Sequence, residues 1–391
     1  MNATSSAADS KGRSDATAGG KKPKANSYPW YSPRVWHGMR FGTWSKLVLQ
    51  NQCKIHPFKL GLAATATLFS INNSLSYQLQ NLIFGKKIRE AKIEAPIFIL
   101  GHWRSGTTLL HELMSSDDRY ATPSTIQCFA PCLFLNYGPI IQKYFSFFMP
   151  RNRPMDNMTM GWDKPQEDEF AVLNLGKMSP YIRMAFPNNA KPDPDFLDLA
   201  AVPEKDREEW LDTLDLFMRM VIVQEKKPLI LKSPTHTGRI GELAQRYPDA
   251  KFIHIARDPY DVFASTVRLW NTMDEVQSFQ FSKDDYREYV FDCFERMYAA
   301  YDRGLATVPQ DRVCQIRYED LVADPMAVIG KIYGELGLDG LDKVEPGVRA
   351  YAERTKDFRR NRHTMDDATR QEIQRRWRGY FEANGYPLDD A

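Results

Sequence analysis

Two stretches that each join an apolar run to a polar loop constrain the fold of this chain more than any other feature. IFILGHWRSGTTLLHEL occupies residues 97–113, and FIHIARDPYDVFAST occupies residues 252–266. Each begins with a branched, apolar run that is typical of a buried parallel strand, and each continues into a helical pattern. Strand, loop and helix in this order predict an α/β domain whose ligand lies at the carboxyl ends of the strands.

The loop in the first stretch has the glycine spacing of a Walker A loop, Gly101-x4-Gly106. However, Thr107 and Thr108 follow where Lys and Ser or Thr are expected, and the cation Arg104 lies inside the loop. Glycines let the backbone approach a ligand closely, and the amides at a helix N-terminus favour negative charge. The pattern predicts an anion site rather than a strand-to-helix turn that binds nothing.

The second stretch carries Arg257 and Ser265, eight residues apart across a strand-to-helix junction. This pair predicts a second anionic group on the same ligand. A nucleotide triphosphatase needs a carboxylate that holds magnesium, but the apolar run 251–256 is followed by Arg257. Asp258 and Asp261 come next, in a helix-start context where carboxylates commonly act as caps. The sequence therefore predicts that cations and amides, and no metal, neutralise the anion.

These motifs resemble those of sulfotransferases that use 3′-phosphoadenosine 5′-phosphosulfate (PAPS). GHWRSGTTLL resembles their 5′-phosphosulfate loop, and ARDPYDVFAS resembles their 3′-phosphate motif, with Arg257 and Ser265 at the matching positions. VCQIRYEDL resembles the late strand of the family, whose tyrosine, here Tyr318, lies near the nucleotide. LKSPTHT resembles the lysine-containing segment of the bacterial and tyrosylprotein-type branch. The resemblance is greatest to a bacterial group that also carries RPMDNM and GWDKPQEDEF, and Arg104 stands where cytosolic sulfotransferases have lysine.

The resemblance covers roughly residues 95–391 and implies a P-loop-like, three-layer α/β domain with a central parallel sheet. Residues 28–94 are expected to form an N-terminal helical extension, and the Ser-, Ala-, Gly- and Lys-rich residues 1–27 a disordered tail. The implied reaction is in-line, metal-independent transfer of a sulfuryl group from PAPS to a hydroxyl or similar acceptor. The residues implied to contact the donor, including two from a late basic loop, are His102, Trp103, Arg104, Ser105, Gly106, Thr107, Thr108, Arg257, Ser265, Tyr318, Arg360 and Arg362.

Sulfuryl transfer also indicates which side chains would carry the chemistry. Charge grows on the bridging oxygen of the donor, so we expect Arg104 and Lys232 to stabilise it there. An alcohol acceptor must lose a proton to a nearby base. Glu167 and Asp168 in PQEDEF, and His236 four residues after Lys232, are the candidates, and the carboxylates alternatively serve as partners of a helix dipole.

The composition limits which binding partners and which cellular compartment we expect for this chain. Lys and Arg number 52 against 50 Asp and Glu, and the net charge of +2 gives no reason to expect a nucleic-acid partner. Five scattered cysteines lack zinc spacing and fit a reducing compartment, so we expect a cytoplasmic protein, with or without peripheral membrane contact. Asn, Gln and Ser interrupt the long apolar run at 58–84. We predict two helices that pack on the domain, or a surface that touches a membrane, rather than a spanning helix.

Three functional hypotheses remain at this point. The first is a PAPS-dependent sulfotransferase whose acceptor is a small molecule, a lipid or a carbohydrate. The second is a P-loop kinase or nucleotidase that uses ATP and magnesium, which the glycines favour and the displaced cation opposes. The third is a non-catalytic nucleotide-binding scaffold at a membrane. The aromatic-rich segment 128–149 belongs either to the core or to an apolar acceptor pocket, and the sequence gives no oligomeric state.

Overall fold

The computed structural model describes residues 28–29, 31–150, 159–189, 195–199, 202–355 and 365–388. Within these residues a parallel sheet of four strands has the order β2-β1-β3-β4. The strands are β1 (Ile97–Leu100), β2 (Ile230–Lys232), β3 (Lys251–Ala256) and β4 (Val313–Arg317). The α/β class and the central parallel sheet predicted from the sequence are confirmed.

The strand register brings the ends of the motif segments to one edge of the sheet. Ile99 on β1 is paired with Lys232 on β2, and Leu100 with His254 on β3. All four strands run in the same direction, so the loops that follow them emerge together. The carboxyl ends of parallel strands are where open α/β sheets bind ligands.

Helices surround the sheet in the part of the chain that the structure describes. The α-helices are α1 (Phe41–Gln50), α2 (Leu60–Glu90), α3 (Thr107–Met114), α4 (Thr125–Phe129), α5 (Phe134–Tyr144), α6 (Glu169–Asn174), α7 (Asp195–Asp198), α8 (Glu204–Glu225), α9 (Ile240–Arg246), α10 (Pro259–Gln277), α11 (Arg287–Leu305), α12 (Tyr318–Ala323), α13 (Pro325–Glu335), α14 (Leu341–Thr355) and α15 (Asp367–Asn384). Short 3-10 helices cover Val35–Gly38, Pro57–Lys59, Ser146–Phe148, Pro180–Met184, Pro234–Arg239 and Gln310–Arg312.

Two apolar clusters cover the two faces of the sheet, which gives the three layers. Side chains alternate along a strand, so Phe98 and Leu100 of β1 enter one cluster and Ile97 and Ile99 enter the other. The first cluster contains residues of α8, α10 and α11, and the second contains residues of α3, α13 and α14. The central sheet is therefore buried on both faces, as its near-continuous apolar strands require.

The N-terminal part corrects one expectation and shares the core of the domain. Residues 58–84 do not form two helices, because they lie in the single 31-residue helix α2 and its short 3-10 lead-in. Of the polar residues that interrupt the apolar run, Asn73 and Gln80 lie on the buried side of α2, whereas Asn72 and Gln78 are exposed. Upstream, Trp36 donates through Nε1 to the Gln277 carbonyl oxygen at 2.6 Å and packs near Phe279. Among the described helices, none combines the length and hydropathy of a membrane span.

Candidate active site

The loop between β1 and α3 is wound so tightly that two of its positions need glycine. Gly101 and Gly106 have φ of +146° and +104°, and a Cβ on either would strike its neighbours. At Gly106 that Cβ would lie 2.3 Å from Cδ2 of Tyr318, and at Gly101 it would lie 2.7 Å from the Ile255 carbonyl oxygen. Arg104 also has positive φ, at +68°. This backbone lets the loop pass close to β3 and to the residue that follows β4.

Hydrogen bonds from two other segments hold the loop in place. The Gly101 amide donates to Thr237 Oγ1 at 2.7 Å, and Thr266 Oγ1 donates to the Trp103 carbonyl oxygen at 3.2 Å. The Ser105 hydroxyl is buried and has no hydrogen-bond partner among the described residues. A buried hydroxyl just before the start of a helix, in a loop bounded by two glycines, fits an anionic group of a ligand.

Arg257 joins the second motif to this loop. Its Nη1 donates to the Arg104 carbonyl oxygen at 2.9 Å, its Nη2 lies 2.9 Å from Asp261 Oδ2, and its guanidinium carbon lies 4.4 Å from the centre of the Tyr318 ring. Ser265 Oγ donates to the Asp261 carbonyl oxygen at 2.5 Å. The structure thus gathers the predicted donor-contact residues of three separate motifs around one loop.

Lys232 at the end of β2 forms an ion pair with Glu167. Its Nζ lies 2.9 Å from Glu167 Oε1, and the lysine side chain is only 2 % exposed. The Tyr181 hydroxyl donates to Glu167 Oε2 and accepts a 2.7 Å hydrogen bond from Trp103 Nε1. Burial, reinforced by the charge of Glu167, raises the pKa of Tyr181 well above its ordinary value, so the phenol stays protonated. Tyr181 therefore links the lysine–carboxylate pair to the loop.

The other two base candidates pair with each other inside the protein. His236 Nε2 lies 2.5 Å from Asp168 Oδ2, and both side chains are fully buried. Ser233 Oγ donates to Asp168 Oδ1 at 3.0 Å. Burial alone would raise the pKa of Asp168, but the charge and hydrogen bond of His236, with the hydrogen bond of Ser233, hold it below its usual value. The pair ties the start of α6 to the segment after β2.

Two residues of the predicted loop set turn their rings into the core. The His102 ring packs against Trp103 and Phe294, and burial lowers the pKa of His102 to about 3. The Trp103 ring packs against Tyr181 and Trp270. Any contact of His102 and Trp103 with a ligand would therefore come from their backbone.

Several residues of this region were not found from the sequence. Glu169 receives two hydrogen bonds from Arg239, at 2.6 and 3.1 Å, in a fully enclosed ion pair. Tyr181 lies outside every recognised motif, whereas Thr237 could have been noticed within LKSPTHT. Tyr380 on α15 accepts a 3.0 Å hydrogen bond from the Arg257 amide, a contact between segments far apart in sequence.

Several predictions about the residues of the site stay predictions. Arg360 and Arg362 lie outside the described residues, as does the tail 1–27. Thr107 begins α3, and Thr108 lies half-buried in its first turn. In the described ranges, no group of three or more His, Cys, Asp and Glu side chains could hold a metal ion.

A glycine loop between a parallel strand and a helix carries Arg104, with Arg257 and Lys232 nearby, and this is the arrangement predicted for an enzyme whose ligand has more than one anionic group. Comparison with known proteins identifies which enzymes these are. The model of the sulfotransferase family matches residues 96–343. The chain belongs to this family, and its activity is sulfuryl transfer with PAPS as the implied donor. The match supports neither the kinase hypothesis nor the scaffold hypothesis.

A curated relative is similar over almost the whole chain. It is omega-hydroxy-beta-dihydromenaquinone-9 sulfotransferase Stf3 of Mycobacterium bovis and of Mycobacterium tuberculosis, 36% identical over 359 residues, which cover 91% of this chain and 92% of the relative. Sulfotransferase STF9 from Mycobacterium avium is similar in structure, with a TM-score of 0.68, 17% identity and coverage of 89% of this chain and 93% of that one. STF1 from Mycobacterium tuberculosis has a TM-score of 0.62 at 16% identity, covering 90% and 94%. These two structures show the shared fold.

Proposed function

We propose that this chain transfers the sulfuryl group of PAPS to the hydroxyl group of a lipid-like alcohol, with Glu167 as the general base. The observation that carries the proposal is the Lys232–Glu167 ion pair at the carboxyl end of β2. A cation for the developing charge and a base for the acceptor proton thereby stand side by side. Tyr181 connects Glu167 to the glycine loop and holds the carboxylate toward it.

PAPS supplies an activated sulfuryl group and leaves as adenosine 3′,5′-bisphosphate. The Ser105 hydroxyl, the loop amides and Arg104 would bind the 5′ end, since they surround the start of α3. Arg257 and Ser265 would bind the 3′-phosphate, and Tyr318 would lie against the nucleotide. Charge-assisted hydrogen bonds of this kind are about twice as strong as neutral ones. We propose that these side chains neutralise the donor without a metal ion.

Accessibility favours Glu167 over the other two base candidates. A general base must come within hydrogen-bond reach of the proton that it removes. The Glu167 side chain is 10 % exposed, whereas Asp168 and His236 are completely enclosed and satisfy each other. We assign Asp168 and His236 a positioning role, because their hydrogen bond fixes the segment that carries Glu167 against the segment that follows Lys232.

The acceptor assignment rests on apolar surface and on a relative. The relative's name gives it a dihydromenaquinone alcohol as substrate, an isoprenoid lipid. In this chain the segment 128–149 is not wholly core, since Tyr144 and Phe147 are 60 % and 64 % exposed. Trp162 lies five residues before Glu167, and its Nε1 donates to the Phe145 carbonyl oxygen at 3.0 Å. This hydrogen bond connects the segment 128–149 to the part of the chain that carries Glu167. Apolar burial contributes ~25 cal/mol per Å², enough to hold a lipid chain with few polar contacts.

We also propose a cytoplasmic location, and the cysteines support it. The five cysteines are free thiols, and Cys53 is exposed. Free thiols persist where glutathione and thioredoxin keep them reduced. Fractionation of cells with an antibody against the native chain tests the location, and recovery from an oxidising compartment would contradict it.

A transfer assay with radiolabelled PAPS tests the proposed function. The panel should contain an ω-hydroxy isoprenoid quinol, a long-chain alcohol, a monosaccharide and a tyrosine peptide. We expect label in an isoprenoid or long-chain alcohol and little in the sugar or peptide. The Lys232→Ala variant is the matched control for label transferred by a contaminating enzyme. Efficient labelling of the sugar alone would overturn the acceptor assignment, and no labelling of any acceptor would oppose the whole proposal.

A further inference from the structure

Helix α2 exposes an apolar stripe and buries several polar side chains, unlike an ordinary surface helix. Such a helix normally turns its apolar stripe toward the core. The side of α2 that is buried against the protein carries Ser70, Asn73, Ser76 and Gln80. The exposed residues include Leu68, Ile71, Leu75, Leu79 and Leu82 at helical spacing, together with the polar Asn72, Gln78 and Asn81.

Buried hydrogen bonds fix this orientation. Asn73 Nδ2 donates to the carbonyl oxygens of His37 and Met39, at 2.6 and 2.9 Å. Gln80 Nε2 donates to the Pro131 carbonyl oxygen at 3.0 Å. Rotating the helix to hide its leucines would leave these buried groups unsatisfied, which typically costs more than one hydrogen bond contributes. The outward leucines therefore stay outward.

A neighbouring helix extends the exposed apolar surface. Helix α5 packs beside α2, where Asn136 Nδ2 donates to the Ser76 carbonyl oxygen at 3.3 Å. The exposed apolar residues of α5 and of the 3-10 turn after it are Tyr137, Ile140, Tyr144, Phe145 and Phe147. We call the outward side chains of α2, α5 and this turn the α2–α5 face. Contiguous exposed apolar side chains often mark interaction sites on soluble domains.

Positive charges predominate around the α2–α5 face. Residues 28–90 contain eight Lys and Arg and one acidic residue, Glu90, whose Oε1 lies 3.9 Å from Lys86 Nζ, although the whole chain is nearly balanced at +2. Lys86 and Lys87 are exposed on α2 and Lys143 on α5, while Lys46 is exposed on α1, which contacts α2, and Lys54 in the segment after α1. A second copy of the chain would bring cations against cations across this face. A surface of anionic lipid is complementary to both its charge and its apolar character.

We propose that the α2–α5 face docks on the surface of an anionic phospholipid bilayer. Helix α2 lies in the plane of the membrane, with Leu75 and Leu82 at the boundary between headgroups and acyl chains and Lys86 and Lys87 among the headgroup phosphates. Leu75 and Leu82 are suited to this, because they are 69 % and 83 % exposed. The inference goes beyond the sulfuryl-transfer reaction and holds whatever the acceptor is.

Co-sedimentation of the full chain with vesicles tests the apolar contact. The vesicles are phosphatidylcholine alone or phosphatidylcholine with phosphatidylglycerol. We expect the chain to bind the mixed vesicles and the double variant Leu75→Glu/Leu82→Glu to bind them at least about tenfold more weakly. The matched control is Gln315→Glu/Val322→Glu, which adds the same two charges to exposed positions of β4 and α12. Equal binding by the leucine variant and the wild type overturns the proposal.

A second pair of variants tests the charge and does not disturb the apolar side chains. Each of Lys86→Ser and Lys87→Ser should weaken binding to the mixed vesicles by about fivefold and change little for phosphatidylcholine alone. Lys343→Ser on α14 removes a charge elsewhere and should change neither. If Leu75→Glu/Leu82→Glu does not fold, vesicle binding by Lys86→Ser and Lys87→Ser tests the proposal instead. Binding that does not depend on phosphatidylglycerol or on these lysines contradicts the docking surface.

Two further measurements distinguish membrane docking from damage to the donor site and from self-association of the chain. Adenosine 3′,5′-bisphosphate should bind all these variants as it binds the wild type, since none of the substituted residues lies at the donor site. Sedimentation velocity without vesicles should show no self-association that the leucine substitutions abolish. A dimer that is lost in Leu75→Glu/Leu82→Glu, with no vesicle binding by the wild type, would show that a second copy covers the face.

Discussion

The Arg257 guanidinium donates a 2.9 Å hydrogen bond to the carbonyl oxygen of Arg104. This contact spans 153 residues of sequence and joins the helix start after β3 to the glycine loop after β1. Tyr318, which follows β4, lies against both Arg257 and Gly106. The residues that follow three adjacent parallel strands, β1, β3 and β4, therefore lie close together. A ligand bound among them would contact all three motifs.

The first prediction concerns the donor. Arg257→Gln should weaken binding of adenosine 3′,5′-bisphosphate by roughly 10- to 100-fold, because a hydrogen bond to a charged group contributes ~1.5–3 kcal/mol. Binding of adenosine 5′-phosphate, which lacks the 3′-phosphate, should change much less. Isothermal titration calorimetry with both nucleotides measures the difference. An equal loss for both would mean that Arg257 supports the loop and does not read the 3′-phosphate.

The second prediction concerns the cations. Arg104→Ala and Lys232→Ala should each lower turnover by about two orders of magnitude or more, since removing one donor from a site of developing charge costs ~3 kcal/mol. Steady-state assays with labelled PAPS measure turnover, and thermal melting shows whether the variants are folded. Lys227→Ala, at an exposed position before β2, is the matched control. A near-normal rate for Lys232→Ala would refute its role in the transfer.

The third prediction concerns metal ions. EDTA should leave the rate of transfer unchanged, because the apolar strand β3 is followed by Arg257 where a magnesium-dependent P-loop enzyme has a carboxylate. The comparison is the rate in chelator against the rate with added magnesium, at fixed ionic strength. A strict requirement for magnesium would contradict the proposed use of cations and amides alone.

The fourth prediction concerns stability against pH. Burial lowers the pKa of His254 to about 3, and its ring stacks on Tyr301. An unfolded histidine takes up a proton near pH 6.5 and the folded one does not, so the free energy of unfolding falls as the pH falls below about 6.5. The slope from this residue is about 1.4 kcal/mol per pH unit.

The variant His254→Phe isolates this contribution. Urea denaturation at pH 7, 6 and 5 should show that the wild type loses stability faster than the variant by about that slope. Other titrating groups are common to the two proteins and cancel in the difference. Parallel stability curves would show that His254 already binds its proton in the folded state.

Sequence patterns located most of the architecture. The strands β1 and β3 occur where the apolar runs of the first and second stretch indicated, and β4 lies in VCQIRYEDL. The glycine positions of the loop were also readable, because positive φ and close packing leave few alternatives. These features depend on neighbours in the sequence, which is why periodicity and spacing could find them.

What the sequence did not reveal depends on tertiary contacts. Tyr181 reaches Glu167 and Trp103 only once α6 and the glycine loop are packed together. The buried pair Glu169 and Arg239 comes from segments 70 residues apart. The prediction of two helices at 58–84 was wrong, since α2 continues unbroken to Glu90, and the burial of Asn73 and Gln80 against the protein was not visible in a linear pattern.

The central claim is that Glu167, paired with Lys232, removes the proton of the acceptor during sulfuryl transfer. The most direct measurement is the single-turnover rate of label transfer from PAPS to the alcohol for wild type, Glu167→Gln and Asp168→Asn. General-base catalysis contributes 10²–10⁴-fold, so Glu167→Gln should be at least about 100-fold slower with unchanged affinity for adenosine 3′,5′-bisphosphate. Asp168→Asn should lower stability more than rate, because Asp168 is enclosed with His236. A rate for Glu167→Gln within about threefold of wild type would contradict the account.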